Sequence, residues 1–114
     1  MNFNVINEEK YTVVSVKAEK LDAQIAPDLK NELMLLQKKA VNTIIIDLTA
    51  TRYCDSSGLS ALLFANRICK DVNGMFVLAG LQPAVQKMIT IAQLDKVLTI
   101  VPTSTEAISL LNER

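Results

Sequence analysis

The sequence predicts an α/β layer structure, a mixed sheet of about five strands flanked by about four helices. Three observations point there. Two short apolar-alternating runs open the chain, separated by a polar turn; continuous apolar or β-branched runs of strand length recur further on; and segments with helical apolar spacing stand between them. With 114 residues and no linker, internal repeat or low-complexity stretch, residues 1–114 read as one domain.

Phe3 to Ile6 and Tyr11 to Val16 form the opening strands, and Asn7-Glu8-Glu9-Lys10 forms their hairpin turn. In the second run Val14 and Val16 alternate with Ser15 and Lys17, the pattern of a half-exposed strand. Pro27 opens the first helix, where a missing N–H and a fixed φ suit the first turn. Leu29, Leu33 and Leu36 keep helical spacing, while Asp28 early and Lys38-Lys39 late complement the helix dipole. Thr43-Ile44-Ile45-Ile46-Asp47-Leu48 reads as a central strand covered on both faces. A second helix runs from Asp55 to about Asp71, with Asn73-Gly74 at the position of a C-terminal cap. Met75 to Ala79 is another buried strand, Pro83 to Leu94 a third helix, Val97 to Val101 a last strand and Thr105 to Asn112 a final helix. Right-handed crossovers join the parallel strands.

Composition narrows the function. Half of the residues are hydrophobic, and glycine and proline number three each, which excludes a disordered chain. A chain of this size buries roughly 65% of its unfolded surface, enough for a core without disulfides or metal. Twelve basic side chains balance twelve acidic ones, so the basic excess that direct nucleic-acid binding needs is absent. The sequence has no histidine, which removes Ser-His-Asp and Cys-His nucleophile pairs and His-ligated zinc. Cys54 and Cys69 form neither a C-x-x-C pair nor a disulfide framework. The start lacks the basic region and apolar stretch of a secretory signal, and no apolar run approaches the roughly 18 residues of a membrane span. The expectation is a cytoplasmic, non-enzymatic protein with no cofactor, no metal and no membrane insertion.

Chemistry concentrates in C-D-S-S-G-L-S-A-L-L at 54 to 63, between the Ile-rich strand and the second helix. The carboxyl end of a strand in an open α/β sheet is where ligands and partners tend to meet the fold. Asp55 can cap the helix, Ser56 and Ser57 fall in its first turn, and Gly58 lets the backbone pack closely. These residue types serve a plain helix start. They also suit a phosphorylated serine, because a helix N-terminus stabilises an anion by about 0.3–1 kcal/mol. On a helical wheel Ala61, Leu62, Ala65, Ile68, Cys69 and Val72 form the stripe expected against the sheet, whereas Leu59 and Leu63 share a side with Asn66, Arg67 and Lys70. Leu59, Leu63, Asn66 and Arg67 are therefore the candidate partner-binding residues, an apolar patch with a charged rim. Two other chemistries are open at this level: Asp22, Asp47 and Asp55 gathered around Mg²⁺ at strand ends, and a Cys54 thiol activated by the helix start. Gly58, Gly74 and Gly80 are scattered, so no Gly-rich phosphate cradle exists.

At these residues the sequence resembles the STAS family, in its anti-sigma factor antagonist form. The resemblance rests on L-D-A-x-x-A-P at 21 to 27, I-I-I-D-L at 44 to 48 and D-S-S-G-L at 55 to 59. L-x-P-A-V at 81 to 85, L-D-K-V at 94 to 97 and T-x-x-E-A at 103 to 107 follow in the family's order. It departs at Glu19 and Gln93, where the family tends to carry glycine. The resemblance implies a partner-switching module that sequesters an anti-sigma factor when unphosphorylated and so regulates transcription indirectly. The anti-sigma factor is itself a serine kinase, and a serine phosphatase reverses the mark. Ser56 matches the phosphorylated serine, Ser57 the second motif serine, and Asp22 the loop aspartate near the site. The same family also supplies subunits of membrane lipid-transport complexes, so a non-phosphorylated structural partner of an ATPase is the alternative.

Overall fold

In the computed structural model, which describes residues 2–113, two antiparallel strands open the chain: β1 (Phe3–Asn7) and β2 (Thr12–Val16), with Val5 opposite Val14. The turn closes through the Glu8 N–H, which donates to the Tyr11 carbonyl at 2.9 Å. A two-residue strand, β3 (Lys20–Leu21), leads into α1 (Ala26–Lys38). Next come β4 (Thr43–Asp47), a second two-residue strand β5 (Tyr53–Cys54), and α2 (Ser56–Lys70). β6 (Met75–Ala79), α3 (Pro83–Ile91), a 3₁₀ turn at Leu94–Lys96, β7 (Thr99–Val101) and α4 (Ser104–Asn112) complete the order. The main sheet has five strands ordered β1-β2-β4-β6-β7, antiparallel at its first pair and parallel elsewhere.

Because side chains alternate across a strand, the Ile run of β4 divides between two layers. Ile44 and Ile46 join Leu29, Leu33, Leu62, Ala65 and Val85 in the larger core, on the face covered by α1, α2 and α3. Ile45 points the other way, into a smaller core with Val13, Val77, Ala107 and Leu111, which α4 covers. The expected buried central strand is thus present, with unequal cover on its two sides.

Four details differ from the sequence reading. The third helix stops at Ile91 rather than Leu94, because Gln93 turns left-handed at φ 59° and the chain re-enters as a 3₁₀ turn. The last strand accordingly starts at Thr99, leaving Val97 50% exposed. At the end of α2 the left-handed residue is Asn73, at φ 59°, not the glycine after it. Gly74 answers a different need: a Cβ there would overlap the Asn42 carbonyl, so the chain can enter β6 only with no side chain at that position. The fourth difference is the pair of short strands β3 and β5, which positions the site described next.

Candidate modification and docking site

Two loops at the carboxyl end of the sheet are stitched together before either helix begins. β3 and β5 pair in parallel, Lys20 with Tyr53 and Leu21 with Cys54. The Thr51 hydroxyl, buried between the loops, donates to the Ala18 carbonyl at 2.9 Å, and the Arg52 N–H donates to the Glu19 carbonyl at 2.8 Å. The Asp55 N–H then reaches the Leu21 carbonyl at 3.3 Å. These bonds bring the starts of α1 and α2 side by side.

Each start uses an aspartate. Asp22 makes an Asx turn, its Oδ1 accepting from the Gln24 N–H at 3.0 Å, while its carbonyl accepts from the Ala26 N–H at 2.8 Å. Asp55 is the N-cap of α2, its Oδ1 accepting from the Gly58 N–H at 3.1 Å. Ser56 follows as the first helical residue with an exposed side chain, and Ser57 is partly covered. Gly58 is buried against the β3 strand; a Cβ there would overlap the Leu21 carbonyl and stand 2.6 Å from Cys54 Sγ. The glycine lets the first turn of α2 lie directly on the neighbouring loop.

Between the two helices runs an open groove of about 490 Å³, walled by Ala23, Ala26, Pro27 and Lys30 on one side and Ser56, Ser57 and Ser60 on the other. Lys30 Nζ crosses it to donate to Ser60 Oγ at 3.1 Å. Ser56, Ser60, Leu63 and Arg67 recur at i, i+4, i+7 and i+11, a single helix face, and all four are exposed. Leu63 is 37% exposed, and on α1 Met34 and Leu35 are 41% and 51% exposed.

The structure corrects part of the expected patch. Leu59 is only 8% exposed and belongs to the larger core, and Asn66 is 9% exposed. α2 is covered on two sides, by the sheet and by α1, so its buried arc is wider than a single stripe. Val72, expected against the sheet, lies past the helix end and is 51% exposed. Leu63 and Arg67 remain on the surface. Lys30, Ser60, Met34 and Leu35 were not singled out from the sequence. The helical spacing of Ala26, Pro27 and Lys30 would have placed them on one face, but nothing local says that α2 lies opposite.

The other two chemistries do not assemble. Asp47 Oδ1 accepts from the Thr49 N–H at 2.8 Å and the Thr49 hydroxyl at 2.6 Å, so Asp22, Asp47 and Asp55 each close a local turn. Among the described residues no three His, Cys, Asp or Glu side chains converge as a metal site. Burial, reinforced by the Asp55 charge, pushes the Cys54 thiol up to about 12, and burial pushes Cys69 up to about 11. Both are protonated at neutral pH, the opposite of an activated nucleophile. No described helix is long and apolar enough to cross a membrane.

Comparison with known proteins adds the relatives. The anti-sigma-B factor antagonist of Listeria monocytogenes is 29% identical over 102 residues, covering 88% of this chain and 90% of its own length. The crystal structure of an anti-sigma factor antagonist from Mycobacterium paratuberculosis superposes with a TM-score of 0.86 at 25% identity, covering 96% of this chain and 92% of that one. The Bacillus cell fate determinant SpoIIAA, solved in its phosphorylated form, superposes with a TM-score of 0.74 at 22% identity, covering 96% and 98%. The family model described as the STAS domain matches residues 2–107, so this chain belongs to the STAS domain family.

Proposed function

We propose that this protein is an anti-sigma factor antagonist: a non-catalytic binding module of the cytoplasm whose docking is switched by phosphorylation of Ser56. The observation that carries the reading is the exposed Ser56 side chain at the first position of α2, on the same helix face as exposed Leu63 and Arg67. The unmodified protein docks an anti-sigma factor across this face. The partner, acting as a serine kinase, transfers the γ-phosphoryl group of ATP to Ser56 Oγ, and a serine phosphatase removes it. The name of the Listeria relative and the phosphorylated state of SpoIIAA, which shares the fold, support this assignment.

Electrostatics supplies the switch. A phosphoserine adds about −1.5 to −2 charges at neutral pH. A dianion ~6 Å from a partner carboxylate costs roughly 1–5 kcal/mol at effective dielectrics of 80 down to 20. Each 1.4 kcal/mol is about tenfold in affinity, whereas the local gain from the helix N-terminus is about 0.3–1 kcal/mol. Repulsion at the interface therefore exceeds local stabilisation, and the fold stays intact while the complex dissociates.

The test is incubation of the purified protein with ATP and the anti-sigma kinases of its own cell, followed by intact mass and mapping of the modified residue. One phosphate on the wild type, lost in Ser56→Ala, is the expected result. A pool that stays unmodified with every kinase and in every growth state overturns the switch and favours a structural subunit.

A further inference from the structure

Lys30 holds a position that the switch as described leaves without a task. Its Nζ faces a neutral hydroxyl, Ser60 Oγ, rather than a carboxylate, and it makes no ion pair among the described residues. It is the charged side chain that lines the groove next to Ser56. Ser56 and Ser60 stand four residues apart on one helix face, with Cβ atoms about 5–6 Å from each other. The acidic groups at this end are engaged elsewhere: Asp55 Oδ1 with the Gly58 N–H, and Asp22 Oδ1 with the Gln24 N–H. Asp28, also on α1, faces the opposite way, beside Asn2 and Phe3.

We propose that Lys30 is the counter-charge for phosphorylated Ser56, exchanging its hydrogen bond to the neutral Ser60 Oγ for an ion-paired one to the phosphate. The proposal rests on Ser56 being the modified residue. The exchange needs no backbone movement, because a lysine carries its ammonium on a flexible four-carbon stem. The old bond joins the ammonium to a neutral hydroxyl and the new one joins it to an anion, so the added Coulomb attraction lets the phosphate displace the hydroxyl. Phosphorylation then does two things at one surface. It adds negative charge beside the docked partner, and it withdraws the groove's cation from any acidic group that partner presents.

The experiment installs phosphoserine at position 56 directly, by genetic encoding, and follows its ³¹P chemical shift against pH. A nearby ammonium favours the dianion, so the second ionisation, normally near pH ~6, moves down. The expected result is a titration midpoint about 0.5 lower in the wild type than in Lys30→Met, with Lys30→Arg restoring most of the difference. Lys30→Gln gives the same loss as Lys30→Met, and both unphosphorylated variants melt near the wild-type temperature. Coincident titration curves for wild type and Lys30→Met overturn the proposal. Since no kinase is involved, that failure is distinct from failure of the functional reading, which shows as an unmodified Ser56 after incubation with the kinases.

Discussion

The first turns of α2 and α4 are nearly the same construction with different surroundings. Asp55 and Thr103 cap them through a side-chain oxygen that accepts the N–H three residues on, at 3.1 Å from Gly58 and 3.2 Å from Glu106. Ser56 and Ser57 follow the first cap, Ser104 and Thr105 the second. Each tip already carries one carboxylate, Asp55 or Glu106. Neither hydroxyls nor charge on the helix itself therefore distinguishes the tip proposed to be modified from the other. What lies opposite does. The third helical residue is Gly58 in α2, which lets that tip lie on the β3 loop and brings α1 with Lys30 across a groove. The corresponding residue in α4 is Glu106, which is exposed, and that tip borders the smaller core.

The largest effect comes from testing which α2 residues belong to the proposed docking face. Leu59→Glu places a carboxylate where 8% of the side chain is exposed, and it lowers stability by more than about 4 kcal/mol. Leu63→Glu, at a side chain 37% exposed, changes stability by no more than about 0.5 kcal/mol and weakens partner binding. Thermal unfolding followed by circular dichroism separates the two. Equal losses would place Leu63 in the core and remove it from the docking face.

A smaller effect follows from exchanging the third residue of each helix. Gly58→Ala forces a Cβ onto the Leu21 carbonyl and costs about 1–3 kcal/mol despite alanine's better helix propensity. Glu106→Ala costs no more than about 0.5 kcal/mol, since it removes only an exposed acid in a first turn. Chemical denaturation midpoints at constant slope measure both. If Gly58→Ala is neutral, the α2 tip is not held against the β3 loop as described.

How much of this was legible in the sequence follows from the range of each interaction. The five strands were readable because β-branched runs such as Thr43–Asp47 carry their own burial signature. The capped tip of α2 was readable because a cap is local, with donor and acceptor three residues apart. The β3–β5 pair was not, since two-residue strands are too short for a period to show. The bond from Lys30 to Ser60 spans 30 residues and depends on two parallel crossovers landing on the same face of the sheet. Leu59 was misplaced for the same reason, as a helical wheel knows nothing of a neighbouring helix.

Charge at the two tips gives the next contrast. Ser56→Asp carries one negative charge and is expected to weaken binding to the proposed anti-sigma partner about tenfold, whereas Ser56→Ala binds constitutively. Thr105→Asp, also at an exposed position on α4, leaves that affinity unchanged. Titration calorimetry on the purified pair measures all three. Equal affinities for Ser56→Asp and Ser56→Ala would remove the electrostatic mechanism, and a loss with Thr105→Asp would move the interface to the other side of the sheet.

The smallest expected effect tests the premise that the tips are alike as helix starts. Asp55→Ala and Thr103→Ala each remove one side-chain acceptor from one first-turn N–H, and each costs about 1 kcal/mol. Asp55 also carries a charge, so its loss removes the favourable contact of an anion with the helix N-terminus, worth about 0.3–1 kcal/mol. That second contribution is screened by salt, while a neutral threonine cap is indifferent to it. Denaturation at low and high ionic strength therefore reads the difference directly: the cost of Asp55→Ala shrinks in high salt and that of Thr103→Ala does not. A Thr103→Ala cost near zero in both conditions would mean that the α4 tip is not held by its cap, and the likeness between the two helix starts would fail.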